Sequence, residues 1–324
     1  MREITFAEAT LEAMREEMRR DPRVFVMGED IARQGGIFGQ FKGLPEEFGY
    51  TRVIDTPISE TAIVGAGLGA ALTGSRPVID MHFADFMTIA SDEIINQIAK
   101  IRYMSGGQAK VPLVIRAPDG AIRSAAAQHS QSVEAWYMNV PGLQIVAPAT
   151  PYDAKGLLKS AIRSDNPVIY FENKVCYRQK GPVPEEEYLV PLGKAEVKRP
   201  GKDATVITYS IMLYRCLEAA DLLAQEGLAI EVIDLRTLSP LDTETLVASV
   251  KKTGHALVAH EAVRFGGFGA EVAATLQELA FDWLDAPIAR VGAAFTPVPF
   301  SPPLEKAVIP QVSHVVEAVK ALVA

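Results

Sequence analysis

A chain of 324 residues is long for one domain and comfortable for two. Hydrophobic residues make up 48% and charged residues 22%, which excludes an extended disordered chain and predicts a well-cored soluble protein. The formal charge of −8, with no run of Lys or Arg, argues against a nucleic-acid partner. No basic-then-apolar leader and no apolar span of about 18 residues stands in the sequence, which argues against export and against a membrane partner. Cys176 and Cys216 lack CxxC spacing and read as buried thiols of a reducing compartment, so the cytoplasm is the expected location.

From the N-terminus, FAEATLEAMREEMRRDP spaces Leu11, Met14 and Met18 at helical intervals behind Thr5 as a cap. VFVMGED is a short buried strand that ends in two acids, Glu29 and Asp30. The glycine-rich IARQGGIFGQFKGL reads as a surface loop, TRVIDT as the next strand, and ETAIVGAGLGAAL as a helix closed by a turn at Gly74. RPVIDMHF is a strand, and one long helix is expected from about Ser91 to Tyr103. VPLVIRAP is followed by the small, polar stretch DGAIRSAAAQHSQS, and the strands LQIVAPA and PVIYFE flank the helix YDAKGLLKSAIR. Apolar strands alternating with helices predict a parallel sheet covered on both faces. This first α/β domain is assigned to residues 1–185. Pro, Gly and charge in KGPVPEEEYLVPLGKAEVKRPGKD mark a linker at 186–202. A smaller α/β domain, 203–324, restarts the alternation with ATVITYS, AIEVIDLR, HALVAHEA and IARVGA as its strands. No short tandem repeat is visible.

The stretch IDTPISETAIVGAGLGAAL admits three readings. Gly65-x-Gly67-x-x-Ala70 fits a dinucleotide fingerprint, with Asp80 or Asp85 available to imitate its ribose-binding acid, which would make the protein a nicotinamide oxidoreductase. The glycines, however, stand two turns beyond Ser59, the expected N-cap, whereas a phosphate cradle needs them in the turn directly after the strand. Glu60 is either an acid favoured by the helix dipole or a working residue at the sheet's C-terminal edge, where ligands bind in doubly wound folds. His129, in a loop-like stretch, is by residue type alone a surface histidine as readily as a catalyst.

DTPISE with GAGLGAAL resembles the beta subunit of the thiamine-diphosphate-dependent decarboxylating component of 2-oxoacid dehydrogenase complexes. FVMGED, RPVIDMHFADF, KIRYMSGG, AAAQHSQSVEAWY, VPGLQIVAP, EVIDLRTLSPLD and TPVPFSPPLE carry the same resemblance along nearly the whole chain. It implies two parallel-sheet α/β domains, a transketolase-like pyrimidine-binding domain followed by a smaller transketolase C-terminal-like domain. In that family the residue matched by Glu60 hydrogen-bonds the aminopyrimidine ring of thiamine diphosphate and promotes its reactive tautomer. Ile58 matches the position whose carbonyl receives the amino group, and Phe86 the aromatic that packs on the ring. His82 is expected near the cofactor, and Glu29, with Asp92, to complete an acidic cluster with Glu60. His129 matches the histidine that assists proton handling and acyl transfer to a lipoyl group. In several relatives, backbone carbonyls bind potassium at the positions of Leu113, Ala161, Ser164 and Asn166.

The family pattern for Mg²⁺, a Gly-Asp-Gly motif with a later Asn, has no counterpart here, since PDGA near Asp119 lacks the first glycine. The resemblance therefore implies that an alpha subunit supplies the Mg²⁺- and diphosphate-binding half of the site in an α₂β₂ assembly. Its reaction would be oxidative decarboxylation of a 2-oxoacid, most like pyruvate, with reductive acyl transfer to a lipoyl-bearing acyltransferase core. Acetoin cleavage is the alternative within the family. A non-catalytic scaffold subunit is the alternative outside it.

Overall fold

The computed structural model describes residues 1–324, divided into two compact units. The first contains Met1–Asp119 and Trp136–Leu192, and the second Gly120–Ala135 and Gly193–Ala324. The expected linker is thus not a spacer: residues 193–202 enter the second unit and supply a strand to its sheet. The segment 120–135 departs from the expected boundaries as well, since its contacts lie with the second unit.

In the first unit, β1 (Arg2–Thr5) precedes α1 (Phe6–Arg20), and β1 pairs antiparallel with β8 (Lys180–Val183). This small sheet has no alternating pattern strong enough to be read from sequence. The α1 start follows expectation: Glu8 N–H donates to Thr5 Oγ1 while the Glu8 carboxylate receives the Thr5 backbone N–H, a reciprocal cap. The main strands are β2 (Val24–Gly28), β3 (Val53–Asp55), β4 (Arg76–Asp80), β5 (Val114–Asp119), β6 (Gln144–Val146) and β7 (Val168–Asn173). They run parallel in the order β6-β7-β5-β4-β2-β3. The helices of this region are α2 (Leu44–Phe48), α3 (Glu60–Leu72), α4 (Ile101–Met104), α5 (Glu134–Met138) and α6 (Pro151–Arg163). The α6 start is fixed by Thr150, which accepts the Asp153 N–H, and by Pro151 at its first position.

The long helix expected from Ser91 to Tyr103 is broken. After a 3₁₀ turn (Ala84–Thr88), a π-helical stretch (Glu93–Ile98) and then α4 occupy this region. Ala99 N–H donates to Ile94 O, five residues back, and side chains compete for the carbonyls around it. Thr88 donates to Asp85 O, Ser91 to Thr88 O and Lys100 to Ile95 O.

The second unit carries β9 (Glu196–Arg199), β10 (Ala204–Thr208), β11 (Ile230–Asp234), the short β12 (Thr237–Ser239), β13 (Ala256–Val263) and β14 (Ala289–Ala293). Its sheet runs β14-β13-β10-β11-β9, parallel except for the edge strand β9. Helices α7 (Met212–Gln225), α8 (Thr243–Thr253), α9 (Gly269–Ala280), α10 (Pro302–Val308) and α11 (Val312–Val323) complete it. No helix is long and apolar enough to cross a membrane.

Because strands of a covered parallel sheet are buried on both faces, any charge within them must be paired. Arg116 on β5 and Glu172 on β7 form a fully buried bidentate pair, at 2.5 and 2.8 Å, and Tyr177 donates a hydroxyl to the same carboxylate at 2.8 Å. Burial opposes the charge on Arg116, but Glu172 more than offsets this, and the guanidinium pKa lies above its ordinary value. The Phe41 ring packs beneath it, 4.7 Å from the guanidinium carbon. Asp80, at the end of β4, lacks so close a cation. Burial pushes its carboxyl up from 3.8 to about 7, against the lowering influence of Arg116. Its Oδ2 accepts the His82 N–H at 3.2 Å.

A carboxyl raised in the folded state contributes stability that is full below its unfolded pKa and is lost as pH rises through the folded value. For Asp80 that window runs from about 4 to about 7. Asp80→Asn keeps an acceptor for His82 but removes the titration. The melting-temperature difference, variant minus wild type, should therefore grow more positive between pH 4.5 and pH 8, by the equivalent of a few kcal/mol on the order-of-magnitude scale of buried carboxyl shifts. A difference independent of pH would contradict the assignment.

Candidate functional site

The C-terminal ends of β3, β2 and β4 lie side by side, with Gly28 paired to Asp55 on one side and to Asp80 on the other. Gly28 is required there. A Cβ at this position would stand 2.9 Å from both the Cβ and the carbonyl oxygen of Asp80. Immediately beyond these ends come Glu29 after β2, Ile58 and Glu60 after β3, and His82 and Phe86 after β4. Five of the residues predicted from sequence thus leave one edge of one sheet, the edge at which parallel α/β folds place ligands.

Glu60 opens α3, where the helix dipole favours a carboxylate. It is only 7% exposed, yet it makes no hydrogen bond and no ion pair. A carboxylate held at the sheet edge with no partner in the chain is an acceptor available to a donor from outside it. Glu29 is close enough to sense it: burial first, then the charges of Glu60 and Asp30, raise the Glu29 carboxyl above its usual range. Nearby, Thr56 keeps a buried hydroxyl oxygen without a hydrogen-bond partner. Ser59 stands at the N-cap as expected, but its hydroxyl donates to Pro57 O and does not cap the helix.

Ile58, which by residue type alone belongs in a core, is 82% exposed. It therefore stands at the rim next to a buried acid and not in the core. Thr61 donates to Ile89 O at 3.0 Å and so ties the start of α3 to the turn that bears Phe86. The half-buried Phe86 packs edge-to-face on Phe83, 5.7 Å between centroids, and Phe83 meets His82 at 5.6 Å in the same fashion. His82 adopts a left-handed backbone, φ +60°, held by the bond from its N–H to Asp80. Asp92 is exposed and accepts from the Asn96 side chain at 2.6 Å.

The glycines of GAGLGAAL lie within α3, one to three turns past its start. They form no strand-to-helix turn, so the dinucleotide reading lacks its phosphate cradle. Their role at Gly67 is packing. A Cβ there would approach Ile79 and Leu113 to 3.1 and 3.2 Å, so the helix lies directly on β4 and the chain leading into β5.

His129 belongs to the second unit and is half-buried in a segment without regular structure, as its composition predicts. The segments that hold the four carbonyl positions are neighbours. Val111 N–H donates to Asp165 O and Val168 N–H to Leu113 O, joining the segments that hold Leu113, Ala161, Ser164 and Asn166. The carbonyls of Leu113 and Ala161 already accept backbone N–H groups, and that of Ser164 accepts from Arg76 at 3.0 Å. Each retains a second lone pair.

Sequence reasoning did not find Arg116, Glu172, Tyr177 or Glu134. The signal that was available is a charge inside an otherwise apolar strand, as in VIRAP and IYFE, where both faces are covered.

The family described as "Transketolase, pyrimidine binding domain" matches residues 2–180, and "Transketolase, C-terminal domain" matches residues 193–315. Among curated relatives, the 2-oxoisovalerate dehydrogenase subunit beta of Bacillus subtilis (strain 168) is 49% identical over 94% of this chain and 93% of its own. The mitochondrial pyruvate dehydrogenase E1 component subunit beta of Dictyostelium discoideum is 46% identical over 98% of this chain and 91% of its own. The corresponding subunit of Rickettsia felis (strain ATCC VR-1525 / URRWXCal2) is 48% identical over 98% of both. A solved structure titled "Split gene transketolase, inactive beta4 tetramer" superimposes with a TM-score of 0.81 at 27% identity, covering 99% of this chain and 98% of that one. The chain belongs to the transketolase-like family of E1 beta subunits of pyruvate and branched-chain 2-oxoacid dehydrogenases.

Proposed function

We propose that this chain supplies the aminopyrimidine half of a thiamine diphosphate site in an E1 component, and that Glu60 is the carboxylate on which the cofactor depends. The observation that carries the reading is the buried Glu60 side chain, unpartnered at the sheet edge beside Glu29 and the exposed Ile58. Such a carboxylate fits a protonated ring nitrogen. The Ile58 carbonyl fits an exocyclic amine, and the ring of Phe86 a flat heterocycle. When bound, the cofactor supplies a nucleophilic carbon that attacks a 2-oxoacid and stabilises the charge left by decarboxylation. The work of the chain is to bind and orient the pyrimidine, keep water from it, and hold a proton on the ring side of Glu60. Glu29, whose carboxyl is raised by burial and by the charges of Glu60 and Asp30, adds a second acid there, and His82 belongs to the same rim.

His129 is proposed to handle protons during acyl transfer to a lipoyl group of an acyltransferase core. An imidazole is suited to this near neutral pH. The partner is an alpha subunit, in an α₂β₂ assembly, that holds Mg²⁺ and the diphosphate. The substrate is a 2-oxoacid of the pyruvate class, with acetoin as the alternative that a substrate panel on the reconstituted enzyme separates. Potassium is proposed at the carbonyls of Leu113, Ala161, Ser164 and Asn166. Buried cysteines outside any disulfide accord with the cytoplasm.

Glu60→Gln should leave the fold intact and lower turnover of the reconstituted enzyme by about 10²- to 10⁴-fold, the scale of a proton-transfer role. Near wild-type turnover removes the assignment. His129→Ala should damage the lipoyl-linked reaction more than decarboxylation read with an artificial electron acceptor, and equal losses remove that division. The purified chain alone, with Mg²⁺ present, should show negligible thiamine diphosphate binding by calorimetry, whereas micromolar binding would mean a site complete in one polypeptide. At matched ionic strength, KCl should raise the melting temperature above that in NaCl, and identical curves would dismiss the potassium proposal.

A further inference from the structure

The segment that bears His129 is conformationally expensive. Between Gly120 and Val133 it is neither helix nor strand, and Ser124 and Ala126 hold φ at +60° and +59° although neither is glycine. Left-handed backbone at such residues persists only where the surroundings fix it. Two carboxylates and one tyrosine hydroxyl of the second unit do so. At the entry, Ala121 N–H donates to Glu261 Oε1 at 2.9 Å, with both residues buried. At the strained turn itself, Ser124 N–H donates to Glu305 Oε2 at 3.1 Å. At the exit, Glu134 accepts the hydroxyl of Tyr209, the residue that follows β10.

These anchors come from different elements. Glu261 lies on β13 and Glu305 on α10, and Arg215 of α7 stands 3.7 Å from the second oxygen of Glu261. The segment is also tied to itself: Gly120 N–H donates to Gln131 O at 3.0 Å and Ala125 N–H to Ile122 O at 3.0 Å. Self-bonds of this kind close the loop but cannot set its position against the sheet. The side chains of Glu261, Glu305 and Tyr209 reach across to do that. Bonds from N–H to an ionised carboxylate are roughly twice as strong as neutral ones, which suits them to holding strained backbone.

We propose that Glu261 and Glu305 are positioning residues for His129: their carboxylates hold the backbone amide of Ala121 at the entry and that of Ser124 at the left-handed turn, and so fix where the imidazole stands. The inference rests on the reading of His129 as the acyl-transfer residue. Neither carboxylate touches reacting atoms, and both act through the loop.

The test uses the full-length chain for hydrogen exchange and the alpha–beta complex for activity. In Glu261→Ala and Glu305→Ala, exchange of the amides in 121–130 should speed by about 10- to 100-fold, the fold-change expected for loss of a charge-assisted bond, while the strands of both sheets keep their protection. Glu261→Gln and Glu305→Gln retain an acceptor and should restore most of that protection. Lipoyl-linked turnover should fall with the loop's protection, while the oxoacid KM and artificial-acceptor turnover stay within about two-fold. Unchanged exchange in both alanine variants overturns the proposal, as does an equal fall in the two assays. Should Glu261→Ala not fold, Glu305→Ala decides by the same readings. His129→Ala with intact lipoyl turnover would instead refute the underlying role of His129, and the exchange result would still report on the clamp.

Discussion

A strand buried on both faces has no solvent to offer a charge, and this single constraint arranges the first unit. Within β5 and β7 the interior charges are Arg116 and Glu172, which persist as a bidentate pair capped by Tyr177, while Asp119 stands at the last residue of β5. Elsewhere the acids are driven to the carboxyl edge, where the strands end and helix N-termini begin. Asp55, Asp80, Glu29 and Glu60 all stand there. They meet four different fates. Asp55 is bonded by the backbone N–H groups of Ala32 and Arg33. Asp80 braces the turn at His82, and Glu29 is pushed towards neutrality by burial and by its acidic neighbours. Glu60 alone is buried without any partner of its own.

That difference separates the structural carboxylates from the one proposed to bind the cofactor more sharply than charge or position. Dipole stabilisation explains why an acid is tolerated at the start of α3, but not why nothing bonds to it. An external donor does explain it. The small residues that follow have their own cause. Gly67 lets α3 lie against Ile79 and Leu113, so the carboxylate is carried by a helix seated closely on the sheet. Rigid seating and an empty acceptor are the two properties that recognition of a flat, proton-donating ring requires.

Much of this was legible in the sequence because the underlying signals are local. Apolar runs bounded by turns marked the parallel strands, the reciprocal Thr5–Glu8 cap marked α1, and the distance from Ser59 to Gly65 was enough to set the glycines inside a helix. The break in the helix expected from Ser91 was not legible. It arises from Thr88, Ser91 and Lys100 bonding backbone carbonyls, a competition that apolar periodicity does not register. Nor was the membership of 120–135 in the second unit, since it depends on contacts such as Ala121 with Glu261, 140 residues away. Pairings across such separations leave no pattern in a window of residues.

The same reasoning explains why the two side chains proposed to act, Glu60 and His129, differed in how readable they were. Glu60 sits where a regular strand hands over to a regular helix, so its place follows from periodicity once the elements are assigned. His129 sits in irregular backbone, and what gives that backbone a definite shape is a set of carboxylates distant in sequence. Regular elements position a residue through their own hydrogen-bond ladders. A strained loop must borrow its rigidity from the surrounding fold, and here Glu261, Glu305 and Tyr209 supply it from three separate elements.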